Sequence, residues 1–248
     1  MKEFIFDRPR RLKPSAPLPF VHTSLSTLAQ ANDDVLVWLG HSSVFLKTDG
    51  LTFLVDPVFT TASPFPWMFS PFKGSNDFTI EEVPPIDVLI ITHDHYDHLD
   101  YRTIKRLRQR VTRVVCPLGV GEHLERWGYS SDAITELDWD ESVLLRQRFG
   151  NIDWALIENG QYNEDWAFIH MMPEEVVQAI DDLKPRHVLA VHNSKFALAR
   201  HDWDEPLRLL SSAAQHRDLP LLTPRIGEVV HLNNTPQTFE PWWTSVEE

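Results

Sequence analysis

The apolar run Val88-Leu-Ile-Ile-Thr92 passes without a break into His93-Asp-His-Tyr-Asp-His98. A short continuous apolar run reads as a buried strand. The fold must therefore carry this strand to a sheet end where three imidazoles and Asp97 stand close together. Imidazole and carboxylate in one cluster suit Zn²⁺, Mn²⁺ or Fe²⁺, and a mixed ligand set leaves a coordination position open. The plain alternative, a solvated histidine-rich loop, leaves the H-x-H-x-D-H spacing unexplained. A second strand, His187-Val-Leu-Ala-Val191, ends at His192 in the same way. Ligands of α/β sheets gather beyond the carboxyl ends of strands, so His192 is expected to meet the first cluster across the sheet.

The remaining chain supplies the layers around that point. Residues 1–34 read as an irregular N-terminal arm, and residues 35–248 as a single domain. Val35–Leu39, ending at Gly40, is a strand. Val44–Thr48 and Leu51–Val55 flank Asp49-Gly50, a strong hairpin signal, and Asp56-Pro57 stops the second of them. Residues 57–78 hold four prolines among Phe59, Phe65, Trp67, Met68, Phe69 and Phe72, which excludes regular helix or central strand. This long loop either folds down as a small core of its own or walls a pocket for an apolar part of a substrate. A helix capped by Asp100 follows the histidine cluster. Further strands are expected at Val111–Cys116, Ala133–Leu137, Ser142–Leu145, Ile152–Ile157 and Pro224–Gly227. Helices are expected at Gly119–Trp127 and from Pro173 to Leu183, the latter with proline first and acids in its first turn. Strands alternating with helices indicate a layered α/β fold, and the early hairpin makes its sheet mixed.

Composition limits what such a site serves. The 248 residues are 42% hydrophobic and 11% aromatic, enough for one sizeable core. A formal net charge of −13 argues against nucleic acid. Cys116, the single cysteine, forms no intrachain disulfide, which fits a reducing compartment. No apolar run approaches spanning length and no signal-peptide core is visible, so a soluble, cytoplasmic protein is expected. Arg8, Arg10, Arg11 and Lys13 beside Phe4, Ile5 and Phe6 could touch an acidic headgroup as a peripheral membrane contact. A solvated arm is the commoner outcome for such a stretch.

The motifs together resemble a known family. His93-x-His95-x-Asp97-His98 at a strand end is similar to the signature of the metallo-β-lactamase fold. Trp38-Leu-Gly-His-Ser-Ser43, Asp56-Pro57-Val-Phe59, His95-Tyr-Asp-His-Leu-Asp100 and His170-Met-Met-Pro-Glu-Glu175 resemble its N-acyl-phosphatidylethanolamine-hydrolysing phospholipase D branch, with the ascorbate-6-phosphate lactonase branch as a cousin. The likeness runs from about Arg8 to Gly227. It implies a four-layer αββα sandwich with two divalent metals at one edge, zinc first, manganese or iron as alternatives. It also implies hydrolysis by a metal-bound hydroxide. The resemblance assigns His93 and His95 to the first metal and Asp97, His98 and His192 to the second. Asp97 would also orient the attacking water. His41, His170 and Tyr162 would contact the substrate, with His170 also in a catalytic role.

The chain departs from the family pattern in one stretch. Relatives place a third histidine for the first metal, and a bridging aspartate, between the equivalents of Leu145 and Phe149. Here Asp138–Leu145 runs almost directly into Arg146–Asp153, and several dozen residues are missing, which shortens the second half. The segment is either deleted in the gene or absent only from the sequence as written. Alternatively, a partner chain or a remaining side chain such as His170 completes the site. The expected function is a metal-dependent hydrolase of a phosphodiester, phospholipase D-like or another small phosphate ester. A lactonase of the same machinery, or a non-catalytic remnant with one metal or none, are the alternatives. A nuclease fits the charge poorly. Shortening would expose sheet edges and favour oligomers.

Overall fold

The computed structural model describes residues 11–65, 67–138, 152–233 and 236–246. β1 (Val35–Trp38), β2 (Val44–Thr48) and β3 (Leu51–Val55) form an antiparallel meander. The turn between β2 and β3 places Asp49 at φ 50° and Gly50 at φ 75°. Two successive left-handed residues match the twist of the flanking strands, which is why Asp-Gly is favoured there. β4 (Ile86–Ile90), β5 (Val111–Pro117) and β6 (Ile134–Leu137) then continue the sheet in parallel. The crossovers run through α2 (Tyr101–Leu107) and α3 (Val120–Arg126). β10 (Val229–His231) pairs antiparallel with β1 and closes the other side, giving the order β10-β1-β2-β3-β4-β5-β6. A second sheet, β7 (Trp154–Glu158), β8 (His187–Val191) and β9 (Leu221–Leu222), is all parallel, with α4 (Pro173–Leu183) and α5 (Glu205–Arg217) as its crossovers.

Side-chain alternation stacks these sheets into four layers. Along β1, Val37 enters a core shared with Leu25, Ile104, Leu107 and Leu124 of the helices on that face. Leu36 and Trp38 point the other way, into a core shared with Leu189 of β8 and with Trp203, Ile226 and Trp242. Along β8, Leu189 faces this middle core, whereas Val188 and Ala190 pack on Val176, Ile180 and Leu210 of α4 and α5. The period-two pattern of both strands buries both faces of both sheets. The order is helices, large sheet, small sheet, helices: the αββα sandwich, with a second sheet of three strands among the described residues.

Several elements differ from expectation for identifiable reasons. α1 (Leu25–Gln30) lies inside the stretch read as an irregular arm. It is capped by the Ser24 side chain and anchored by buried Leu25, and six residues are too few to show a helical period. The strand expected at Pro224–Gly227 is a single bridge, Phe20 to Ile226, and the ladder begins at Val229. Pro224 lacks an N–H and Gly227 turns the chain at φ 86°. α5 had no counterpart in the sequence reading. The expected strand at Ser142–Leu145 and the departure at Leu145–Phe149 lie outside the described residues. The 57–78 loop follows the first of the two courses expected for it, in part. Val58 and Ala62 form a small core with Phe196, while Phe65, Trp67, Met68 and Phe69 stand exposed. Among the described residues, no helix is long and apolar enough to cross a membrane.

Candidate metal centre

The chemistry gathers where strands of both sheets end. β1 leads to His41, β3 to Asp56, β4 to His93–His98, β7 to Glu158 and β8 to His192. Reciprocal backbone bonds join the ends of β1 and β8: His41 N–H donates to Asn193 O at 3.1 Å, and His192 N–H to His41 O at 3.0 Å. Trp38 Nε1 also donates to His41 O, at 2.8 Å. The close approach is built from special backbone geometry. His41, Asp56 and His192 are left-handed (φ 54°, 41° and 67°). At Gly160 a Cβ would sit 2.5 Å from His192 O, so only glycine lets the loop after β7 lie against the histidine.

Asp97 and three imidazoles converge on one point. Asp97 Oδ2 lies 2.8 Å from His41 Nε2, 3.3 Å from His192 Nε2 and 3.6 Å from His98 Nε2. The Nε2 atoms of His98 and His192 face each other at 3.1 Å. Ligands around a four-coordinate zinc stand ~3.3 Å apart at ordinary bond lengths, so this spacing suits one cation. The other nitrogen of His98 is fixed: Nδ1–H donates to Asp56 Oδ2 at 2.9 Å, leaving Nε2 its lone pair. Asp56 is itself held by the Thr92 N–H at 2.8 Å and the Thr92 hydroxyl at 2.6 Å. His41 Nδ1 and His192 Nδ1 are buried without a hydrogen-bond partner.

Electrostatics keep the imidazoles in the ligand form. Burial, with His192 nearby, draws His41 down to about 3. Burial likewise draws His98 down to about 3 against the pull of Asp97, and His93 down to about 4 with help from His98. Burial alone would raise Asp97, but the bonds from His192 and His41 hold it well below the usual carboxylate range. Burial pushes Asp56 up to about 7 against its Thr92 bonds. Neutral His41, His93 and His98 near an ionised carboxylate match the protonation state a divalent cation needs.

The structure brings Asp97, His98 and His192 together with His41, and His170 beside His192 at 4.8 Å between rings. His41 is completely buried, so its contact is with Asp97 and not with a molecule in the cleft. His93 packs on His98 (3.8 Å between rings) and on exposed His95 (4.6 Å). Neither His93 nor His95 joins a group of three or more close donors among the described residues. Tyr162 stands apart: its buried hydroxyl donates to Glu205 Oε1 at 2.8 Å and its ring lies on His201. Glu158 and Asp56 were not proposed as site residues from the sequence. Glu158 ends a strand just as His93 and His192 follow theirs, and that signal was available. A cleft of about 550 Å³ opens on His95 and Asp97, walled by Ala62, Tyr96, Tyr101 and Trp127.

Residues 52–147 and 143–193 match the family model described as the β-lactamase superfamily domain. The chain belongs to the metallo-β-lactamase superfamily. An uncharacterized protein of Mycobacterium tuberculosis is 30% identical over 93% of this chain and 77% of its own length. That alignment runs over 289 positions, more than this chain's 248 residues, so the relative carries internal residues that this chain lacks. The family match is in two pieces that meet at residues 143–147, next to the departure noted in the sequence. N-acyl-phosphatidylethanolamine-hydrolyzing phospholipase D 1 of Caenorhabditis elegans is 32% identical over 42% of this chain and 31% of that protein. Among solved structures, an isothiocyanate hydrolase from Delia radicum gut bacteria superposes with a TM-score of 0.58 at 17% identity, covering 79% of this chain and 98% of that one. CmlA, a diiron β-hydroxylase from Streptomyces venezuelae, gives 0.58 at 20% identity over 82% and 55%. At these identities the two structures attest to the fold alone.

Proposed function

We propose that this metal-dependent hydrolase of the metallo-β-lactamase superfamily cleaves a phosphodiester with an apolar portion, as in a phospholipid. The convergence of Asp97 Oδ2, His98 Nε2 and His192 Nε2, behind a cleft that Asp97 lines, carries the reading. Asp97, His98 and His192 would hold a divalent cation, zinc by ligand chemistry, with iron the alternative for the same donors. Such a cation supplies a water acidified to near neutrality and a positive charge facing the substrate. Asp97 would also orient that water. His41, donating to Asp97, fixes the carboxylate, and Asp56 fixes the ring of His98. His170 stands beside His192, where it can meet a phosphate oxygen. Thr60, Thr61, Ser63 and Pro64 of the loop, with Tyr96, Tyr101, Trp127 and the charged Asp100 and Arg102, form a recess of about 250 Å³ next to the cleft, in which the three aromatic rings offer apolar surface to a substrate. A cytoplasmic location accords with Cys116, a buried free thiol.

The test is metal content by elemental analysis of protein purified without chelator, followed by hydrolysis of bis(p-nitrophenyl) phosphate, an N-acyl phosphatidylethanolamine and a lactone. Phosphodiester turnover that falls at least ~10²-fold in Asp97→Asn, with loss of metal, is the expected result. Turnover of the lactone alone would reassign the substrate. Metal without any turnover would make the chain a binding remnant.

A further inference from the structure

Next to the Asp97 centre lies a second set of donors, one of which, Glu158, has no role in the family resemblance. Glu158, His170 and His192 each offer a ligand atom, all within 4.8 Å of one another. Glu158 is the last residue of β7 and sits in register with Val191, the residue before His192. Its Oε2 is 3.3 Å from His170 Nδ1, and its Oε1 accepts the Met171 N–H at 2.7 Å, which fixes the carboxylate. Those bonds, with burial opposing them, hold Glu158 below the usual carboxylate range. His192 is shared by both sets; its Nε2 faces Asp97 and His98, and its Nδ1 is buried without a hydrogen-bond partner. His93 and His95, by contrast, gather no third donor among the described residues.

We infer that Glu158 and His170, together with His192 as a bridging imidazolate whose ring N–H proton is released to solvent on binding, form a second divalent-cation site beside the Asp97 centre. Its carboxylate comes from the end of β7, and His192 is the residue common to both sites. An ion pair between Glu158 and His170 explains their own contact, yet it leaves a buried imidazole nitrogen of His192 unsatisfied. Two carboxylates against two dications leave net positive charge for an anionic substrate. The inference rests on the metal reading above: it keeps His192 as a ligand, adds Glu158 and makes His170 a ligand in place of a phosphate contact.

The experiment is zinc and cobalt titration of the full chain by calorimetry, with elemental analysis and the visible absorption of the cobalt form. Wild type should bind two cations. Glu158→Gln and His170→Ala should each keep one and weaken the other ~10–100-fold, with altered cobalt absorption, while Asp97→Asn should affect the complementary ion. Glutamine keeps an oxygen for the Met171 N–H, and unchanged circular dichroism will separate ligand loss from misfolding. Two cations undiminished by either variant would overturn the inference and return the second ion to His93 and His95. One cation, lost only in Asp97→Asn, would overturn it while leaving the metal reading intact. No cation in wild type would remove both.

Discussion

Lys195 shows how strongly position decides the behaviour of a single side chain. It is completely buried; its ammonium donates to Leu39 O at 3.1 Å and lies 5.7 Å from the Phe59 ring centre. Burial draws it down to about 7, against the attraction of Asp100. An unfolded lysine keeps its proton to about pH 10.4. Between pH 7 and that value the unfolded chain binds more protons, so stability climbs with pH, by up to ~1.4 kcal/mol per unit. Below pH 7 this contribution is flat. Urea unfolding at pH 7.0, 7.8 and 8.5 should show the climb, and Lys195→Met should abolish it while raising stability at pH 7. Nothing local in Asn193-Ser-Lys-Phe196 announces such a residue. The motifs around Asp56 and His41 stand out in the sequence, but their partners do not, lying 42 and 56 residues away. Asp97, His98 and His192 were legible because each is attached to a strand that can be read alone.

At the scale of elements, Asp100 ties three pieces together. Its Oδ1 accepts the Arg102 N–H and caps α2, as the sequence predicts. Its Oδ2 also accepts the N–H and hydroxyl of Thr60 and the hydroxyl of Thr103, which anchors the proline-rich loop to the helix behind the histidines. Asp100→Ala should cost ~2–4 kcal/mol, since a cap is lost and several donors are left unpaired in a buried setting. Chemical denaturation will read it. Asp100→Asn, which keeps one acceptor oxygen, should cost less. The cap was visible because it is local, whereas the tie to Thr60 was not. Likewise the hairpin at Asp49-Gly50 and the helix from Pro173 follow from turn and cap chemistry. β10 does not, because three residues become a strand only when β1 offers them an edge.

For the whole molecule, the centre is also a fastener. His41, Asp97 and His98 follow strands of the large sheet and His192 a strand of the small one, so a cation held between them would bind the halves of the sandwich to each other. A ligand at ~1,000 times its dissociation constant adds ~4 kcal/mol. In a chain of this size that is a shift in Tm of roughly 8–16 °C. Calorimetry with and without EDTA should find this drop in wild type and little of it in Asp97→Asn. The alternation of β1 and β8 made the layers legible, and the missing stretch was legible as a break in motif order. What the sequence could not convey is that Glu158 faces His170 and His192, because that depends on the register of β7 against β8.

His41, Asp56, Gln161, His192 and Ser194 all adopt left-handed backbone at or near one centre, and none is glycine. Each such residue costs ~1 kcal/mol or more, a cost that glycine at the same place would not incur. Durability and chemistry therefore pull these positions in opposite directions. Variants chosen for heat resistance in metal-free medium should accumulate glycine or asparagine at 41 and 192, and variants chosen for turnover should keep histidine. Sequencing both populations would separate the part of this chain that serves its persistence from the part that serves its work.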